Sequence, residues 1–156
     1  MVQSAKLDHS KLTNFSAMNI RPFTENDTEA LVALWQACGL TVPWNDPRKD
    51  IARKLQVGRK FFLVGEADGR LIASVMGGYE GHRGWVNYLA VHPDFQKLGY
   101  GRALMTAVEE KLLAVGCPKI NLQVRESNSD VIRFYEKTGY KNDHVVSFGK
   151  RLIPDR

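Results

Sequence analysis

Tyr88-Leu89-Ala90-Val91-His92-Pro93-Asp94-Phe95-Gln96-Lys97-Leu98-Gly99-Tyr100-Gly101-Arg102 is the stretch in which the hydrophobic pattern changes period. Up to His92 the residues read as a strand. From Arg102 onward, Leu104, Val108, Leu112 and Val115 recur on one helical face. A strand that enters a helix through a glycine-containing turn aims several unpaired backbone N–H groups at one point, where the helix dipole adds about half a positive charge. Such a nest suits a pyrophosphate: Lys97 and Arg102 add charge, and Gly99 and Gly101 let a ligand approach the main chain. A tight turn that needs glycine only for its conformation has the same pattern, so the turn alone leaves both readings open. Two phosphate motifs are excluded. The dinucleotide fingerprint needs glycine or alanine where Leu104 stands, and the Walker motif needs Gly-Lys-Ser/Thr where Gly101-Arg102-Ala103 stands.

Upstream, residues 19–23 form a short strand candidate, and Thr24-Glu25-Asn26-Asp27 supplies capping residues for a helix. Leu31, Leu34, Trp35 and Cys38 follow at helical spacing until Gly39. Asp46-Pro47 is an N-cap followed by proline at the first helical position, and Gly58 ends that second helix. Residues 60–67 and 70–79 are β-rich and joined by Asp68-Gly69, a strong hairpin signal; a loop holding Glu80 and His82 leads to a third strand, 85–92. Downstream, Gly116 stops the long helix and 119–125 alternates as a strand, with Ile120, Leu122 and Val124 on one face. Residues 127–130 fit a capping box for a last helix, 131–138, and 145–148 is a weak final strand. The order is strand, two helices, three antiparallel strands, helix, strand, helix, strand. An antiparallel meander followed by a strand–helix–strand unit predicts an α/β (α+β) domain, a mixed central sheet with helices packed on it.

The 156 residues suggest one domain, with 44% hydrophobic and 25% charged residues. Residues 1–17 show neither a hydrophobic period nor a signal-peptide core and read as a flexible N-terminal extension. The domain occupies 18–152, and 153–156 is a C-terminal tail. Two cysteines exclude a disulfide framework and favour a reducing, cytoplasmic setting. Neither metal-ligand spacing nor a membrane-length apolar run occurs in the sequence. The net charge of +5 favours an anionic partner. A nucleic-acid module is disfavoured, because the basic residues are dispersed, without aromatic interleaving or a recognition helix.

Leu89-Ala90-Val91-His92-Pro93, Gln96-x-x-Gly99-x-Gly101 and the run from Asn128 through Phe134-Tyr135-Glu136-Lys137-x-Gly139-Tyr140 together resemble the GNAT superfamily of acetyl-CoA-dependent N-acetyltransferases. The element order is similar to that fold over nearly the whole chain. Pro43-Trp44-Asn45-Asp46-Pro47 and residues 77–84 extend the resemblance to small bacterial acetyltransferases of the superfamily. The resemblance implies helices on both faces of the sheet and a splay between the parallel strands near 85–92 and 119–125, where acetyl-CoA lies. It implies that Gln96, Lys97, Leu98, Gly99, Tyr100, Gly101 and Arg102 wrap the pyrophosphate, and that Leu89 and Val91 offer backbone hydrogen bonds to pantetheine. Asn128 contacts the pantetheine arm on this reading, and Lys137 is a candidate for the adenosine phosphate end; Lys137 also reads as a solvated lysine.

Tyr135 is the implied catalytic acid, sited near the sulfur; beside Ile132 and Phe134 it also has an ordinary place in a core. A phenol stays protonated at neutral pH and can protonate or hydrogen-bond a departing thiolate. The ribosomal-protein N-terminal acetyltransferases, which the chain also resembles, carry a glutamate base on the strand before the last helix, and Gln123 stands there instead. Glu80 and His82 are the candidate substitutes, through water. The expected activity is acetyl transfer from acetyl-CoA to a primary amine by direct attack, with a protein N-terminus or small amine favoured over a surface lysine. The missing glutamate keeps a catalytically weak acyl-CoA-binding sensor as the alternative. No metal, nucleic acid or membrane is expected as a partner, and a homodimer is one assembly the sequence allows.

Overall fold

The computed structural model describes residues 17–155. The N-terminal extension expected at 1–17 therefore lies almost wholly outside the described residues. The elements are β1 (Asn19–Pro22), α1 (Thr28–Ala37), α2 (Pro47–Val57), β2 (Phe62–Ala67), β3 (Arg70–Tyr79), β4 (Gly84–Val91), α3 (Tyr100–Ala114), β5 (Ile120–Leu122) and α4 (Ser129–Lys137). Local chemistry accounts for their starts. Asp27 Oδ2 accepts the Thr24 amide at 2.8 Å ahead of α1, and Asp46 Oδ1 accepts the Arg48 amide at 2.9 Å with Pro47 at the first position of α2. No helix among the described residues is long and apolar enough to cross a membrane.

The sheet runs β1-β2-β3-β4-β5, antiparallel throughout except for the parallel β4–β5 pair. Helices cover both faces. On one, Leu31, Trp35 and Ile51 of α1 and α2 pack with Phe62, Val64 and Met76; on the other, Leu104, Val108 and Leu112 of α3 pack with Leu63, Val75 and Val86. Coverage of both faces explains why Phe61-Phe62-Leu63-Val64 reads as an unbroken apolar run rather than an alternation. The mixed α/β domain expected from the element order is the observed fold.

Three details depart from the sequence reading. The strand expected at 119–125 is confined to Ile120–Leu122, because its ladder with β4 ends at the Val86↔Leu122 pair. The final strand expected at 145–148 does not form. Lys119 and Asn121 reach Asp143 at 2.8 and 2.7 Å, and Gln123 reaches Ser147, so side chains rather than a backbone ladder connect that segment to β5. Val145 and Phe148 are left 79% and 92% exposed. At the end of the chain, where a tail is expected, Asp155 is buried against α2. Its carboxylate takes Arg53 at 2.5 Å and the Asp46 amide at 2.8 Å, while Lys49 Nζ donates to its carbonyl at 2.8 Å.

Candidate active site

β4 pairs with β5 only through Gly84↔Ile120, Trp85↔Asn121 and Val86↔Leu122, yet it continues to Val91. Residues 87–91 thus have β3 on one edge and, among the described residues, no strand on the other. The separation coincides with a bulge: Ser74 faces Ala90 and Met76 faces Asn87, so Tyr88 and Leu89 together oppose Val75. Leu89 and Val91 lie in this unpaired stretch.

Beyond β4 the chain makes one turn of 3-10 helix, Pro93–Phe95, and then the turn into α3. Lys97 and Gly99 are both left-handed, at φ 63° and 84°. No side chain caps α3, whose first intrahelical bond runs from the Ala103 amide to the Gly99 carbonyl at 3.0 Å. The amides of Tyr100, Gly101 and Arg102 consequently lack intrahelical partners. A β-carbon built at Gly99 meets nothing within 4 Å, so open space lies over the turn. Unpaired amides, a helix dipole and that space fit a pyrophosphate. Lys97, Leu98 and Arg102 are exposed around it.

Gln96 and Gly101 also have structural work within the fold. Gln96 Nε2 donates to the Val91 carbonyl at 3.0 Å, fastening the turn to the end of β4. Cys38 Sγ donates to the same carbonyl at 3.3 Å, so that acceptor is already engaged from two directions. Gly101 faces protein: a β-carbon there would lie 3.3 Å from Phe134 Cζ and 3.7 Å from Val91 Cγ2. Glycine at 101 lets α4 close against α3 and β4, which brings the three quoted motifs together.

Asn128 is the N-cap of α4, its Oδ1 accepting from the Val131 amide at 3.4 Å. Tyr135 packs edge-on against Phe134 and Tyr140, with ring centroids 5.1 and 5.5 Å away. Burial pushes its phenol up to about 12, and its hydroxyl has no hydrogen-bond partner among the described residues. It lines a cleft of ≈ 1180 Å³ with Gln123, Val124 and Ile132; the Gln96–Arg102 turn lies outside that cleft. Lys137 is exposed in the last turn of α4, without an ion pair among the described residues.

Glu80 and His82 are not brought to the unpaired stretch. Their loop precedes Gly84, at the end of β4 that is still laddered to β5, and Leu89 is five residues further, about 16 Å along a strand. Glu80 accepts the His82 amide at 2.7 Å and also the Arg83 amide. Those bonds, Arg83 first, hold its carboxyl below the usual range and tie it into the turn. Sequence reasoning missed a polar group at the bulge. Tyr88 donates to Asp50 Oδ2 at 2.7 Å, and Ser74 donates to the Tyr88 carbonyl at 2.9 Å. A serine within the apolar run Leu71-Ile72-Ala73-Ser74-Val75-Met76 was the one signal available.

Comparison with known proteins agrees with this geometry. The model of the Acetyltransferase (GNAT) family matches residues 24–140. An acetyltransferase of Pectobacterium atrosepticum is 52% identical over 139 residues, covering 89% of this chain and 99% of that protein. The ribosomal-protein-S18-alanine N-acetyltransferase of Escherichia coli superposes with a TM-score of 0.67 at 25% identity, covering 79% of this chain and 77% of that one. The PaiA N-acetyltransferase of Thermoplasma acidophilum, in complex with coenzyme A, shares the fold with a TM-score of 0.71 at 20% identity, covering 81% and 91% of the two chains. This chain belongs to the GNAT family of acetyltransferases.

Proposed function

We propose that the protein transfers acetyl from acetyl-CoA to a primary amine by direct attack, with the cofactor lying along the unpaired stretch of β4. The observation that carries this reading is the end of the β4–β5 ladder at Val86↔Leu122, five residues before β4 itself ends at Val91, from which a short turn leads to the uncapped start of α3 at Tyr100. The free amides of Tyr100, Gly101 and Arg102 bind the pyrophosphate, with Lys97 and Arg102 screening its charge. The main chain of Leu89 and Val91 orients the pantetheine arm, Asn128 borders it, and Lys137 faces the adenosine phosphate end. The bound thioester supplies the acetyl group. Holding amine and thioester together removes the entropic cost of a bimolecular encounter, and Tyr135 stabilises the leaving thiolate. With its phenol at about 12, Tyr135 does so mainly as a hydrogen-bond donor, because full proton transfer from so weak an acid is unfavourable.

Gln123 offers no carboxylate, and its amide donates to Ser147. The acceptor therefore reaches the thioester as the neutral amine. Calorimetric titration with coenzyme A, followed by mass spectrometry of an amine panel incubated with labelled acetyl-CoA, tests the reading. Submicromolar to micromolar binding with acetylated products supports it. Binding without turnover on any amine would make the protein an acyl-CoA sensor instead, and absence of binding would overturn both.

A further inference from the structure

Tyr88 is the one residue inside a strand among the four described non-glycine residues at positive φ, the others being Asp68, Lys97 and His144. A φ of 51° is strained for a bulky side chain and persists only where the surroundings over-determine it. They do so here from three elements. From β3, the wholly buried Ser74 donates to the Tyr88 carbonyl at 2.9 Å. From α1, the wholly buried Trp35 donates Nε1 to Ser74 Oγ at 3.0 Å and stacks on the Tyr88 ring, centroids 3.8 Å apart and planes 11° from parallel. From α2, Asp50 Oδ2 accepts the Tyr88 hydroxyl at 2.7 Å.

The strained residue stands two positions past the last β4–β5 pair and immediately before Leu89. We infer that Tyr88 is a positioning residue: clamped by Trp35, Ser74 and Asp50, it fixes the kink in β4 and so the direction in which the Leu89 main chain meets the acyl end of the cofactor. The inference rests on the proposed placement of acetyl-CoA. The pyrophosphate turn at Gly99 stands apart from this clamp, so losing the clamp disturbs the reacting end while leaving the anchoring end intact. An ordinary core contact would instead lower stability without separating the two ends.

The test uses the full chain, labelled with nitrogen-15, as wild type, Ser74→Ala and Ser74→Thr. Acetyl-CoA is expected to shift the amide resonances of both Leu89 and Gly99 in wild type. In Ser74→Ala the Gly99 shift and the coenzyme A affinity remain, within about threefold, while the Leu89 shift is lost. Single-turnover transfer falls on the order of 10- to 100-fold, the scale of a sub-ångström to ångström misplacement. Ser74→Thr, which keeps the hydroxyl, restores the rate and the Leu89 shift. If Ser74→Ala does not fold, Tyr88→Phe, which loses only the Asp50 contact, is read in the same way and shows the same pattern at smaller amplitude. A variant with a lower melting temperature but a wild-type Leu89 shift and wild-type rate per folded molecule would overturn the positioning role. A wild-type protein in which neither resonance moves would overturn the cofactor placement itself, and the inference with it.

Discussion

Phe134 stands over the main chain of Gly101, so that a β-carbon at position 101 would lie 3.3 Å from its ring Cζ. Two residues earlier the requirement is of another kind, because Gly99 has open space around it but a φ of 84°. The two glycines therefore predict different failures. Gly101→Ala gains helix propensity and asks Phe134 to yield a few tenths of an ångström, so stability should change by less than about 1 kcal/mol. Gly101→Val overfills the contact and should cost about 1–3 kcal/mol, lowering the melting temperature. It should also weaken coenzyme A more than Lys97→Ala does, since α4 is displaced along with Phe134.

At Gly99 the strain of a left-handed alanine is about 1–2 kcal/mol. An exposed turn escapes that strain by relaxing, and a ligand must then pull it back. Gly99→Ala should thus leave the melting temperature within a few degrees and weaken coenzyme A roughly 5- to 30-fold. Calorimetry on both variants decides it; unchanged affinity in Gly99→Ala would remove the turn from the binding site.

Tyr135→Phe removes only a hydroxyl that has no hydrogen-bond partner among the described residues, so neither folding nor coenzyme A affinity should move appreciably. The acetyl-transfer step should slow on the order of 10²-fold. Because the phenol sits at about 12, its ionisation should not appear in a rate profile between pH 6 and 9. Single-turnover measurements across that range check both statements, and an unchanged rate would return Tyr135 to the core beside Phe134 and Tyr140.

The docking of Asp155 on α2 makes a prediction about acid. Arg53 first, then the Asp46 amide, holds the Asp155 carboxyl down at about 2. A depressed value stabilises the folded chain fully above the ordinary carboxylate range near 4, and that contribution is lost as the pH falls through 2. Wild type should therefore lose more melting temperature than Asp155→Asn between pH 4 and pH 2, and be the more stable of the two at pH 7. Parallel slopes would show that the contact contributes nothing to stability.

What could be read from the sequence was local. Asp68-Gly69 and Asp46-Pro47 specify a turn and a helix start within a few residues, and Leu104, Val108 and Leu112 reveal a buried face by spacing alone. What could not be read depends on distant partners. The kink at Tyr88 needs Trp35, Asp50 and Ser74, which lie 53, 38 and 14 residues away in the chain. The alternation in 119–125 predicts a strand, but strand length is set by the neighbour, and β4 turns away after Val86. Glu80 and His82 adjoin β4 in sequence, and nothing in the sequence says which end of that strand opens.

Glu80, bonded to the His82 and Arg83 amides at the laddered end of β4, leaves the acceptor without an evident carboxylate base, and this bears on which amine reacts. Direct attack needs the neutral form. A lysine side chain near pKa 10.4 is neutral in only about one molecule in 10³ at pH 7, whereas an α-amine near 7.7–8.0 is neutral in roughly a tenth. The supply of nucleophile thus differs by roughly 10²-fold, which outweighs the modest gain in intrinsic reactivity of the more basic amine. A peptide with a free N-terminus and blocked lysine should be preferred over one with a blocked N-terminus and free lysine. Its kcat/KM should rise about tenfold per pH unit below 7 and level off above about 8, following the titration of the acceptor rather than of an enzyme group. Glu80→Gln should leave that profile in place, since the carboxylate serves the turn. Preference for the lysine peptide, together with loss of activity in Glu80→Gln, would show instead that the β3–β4 loop delivers a base to the thioester.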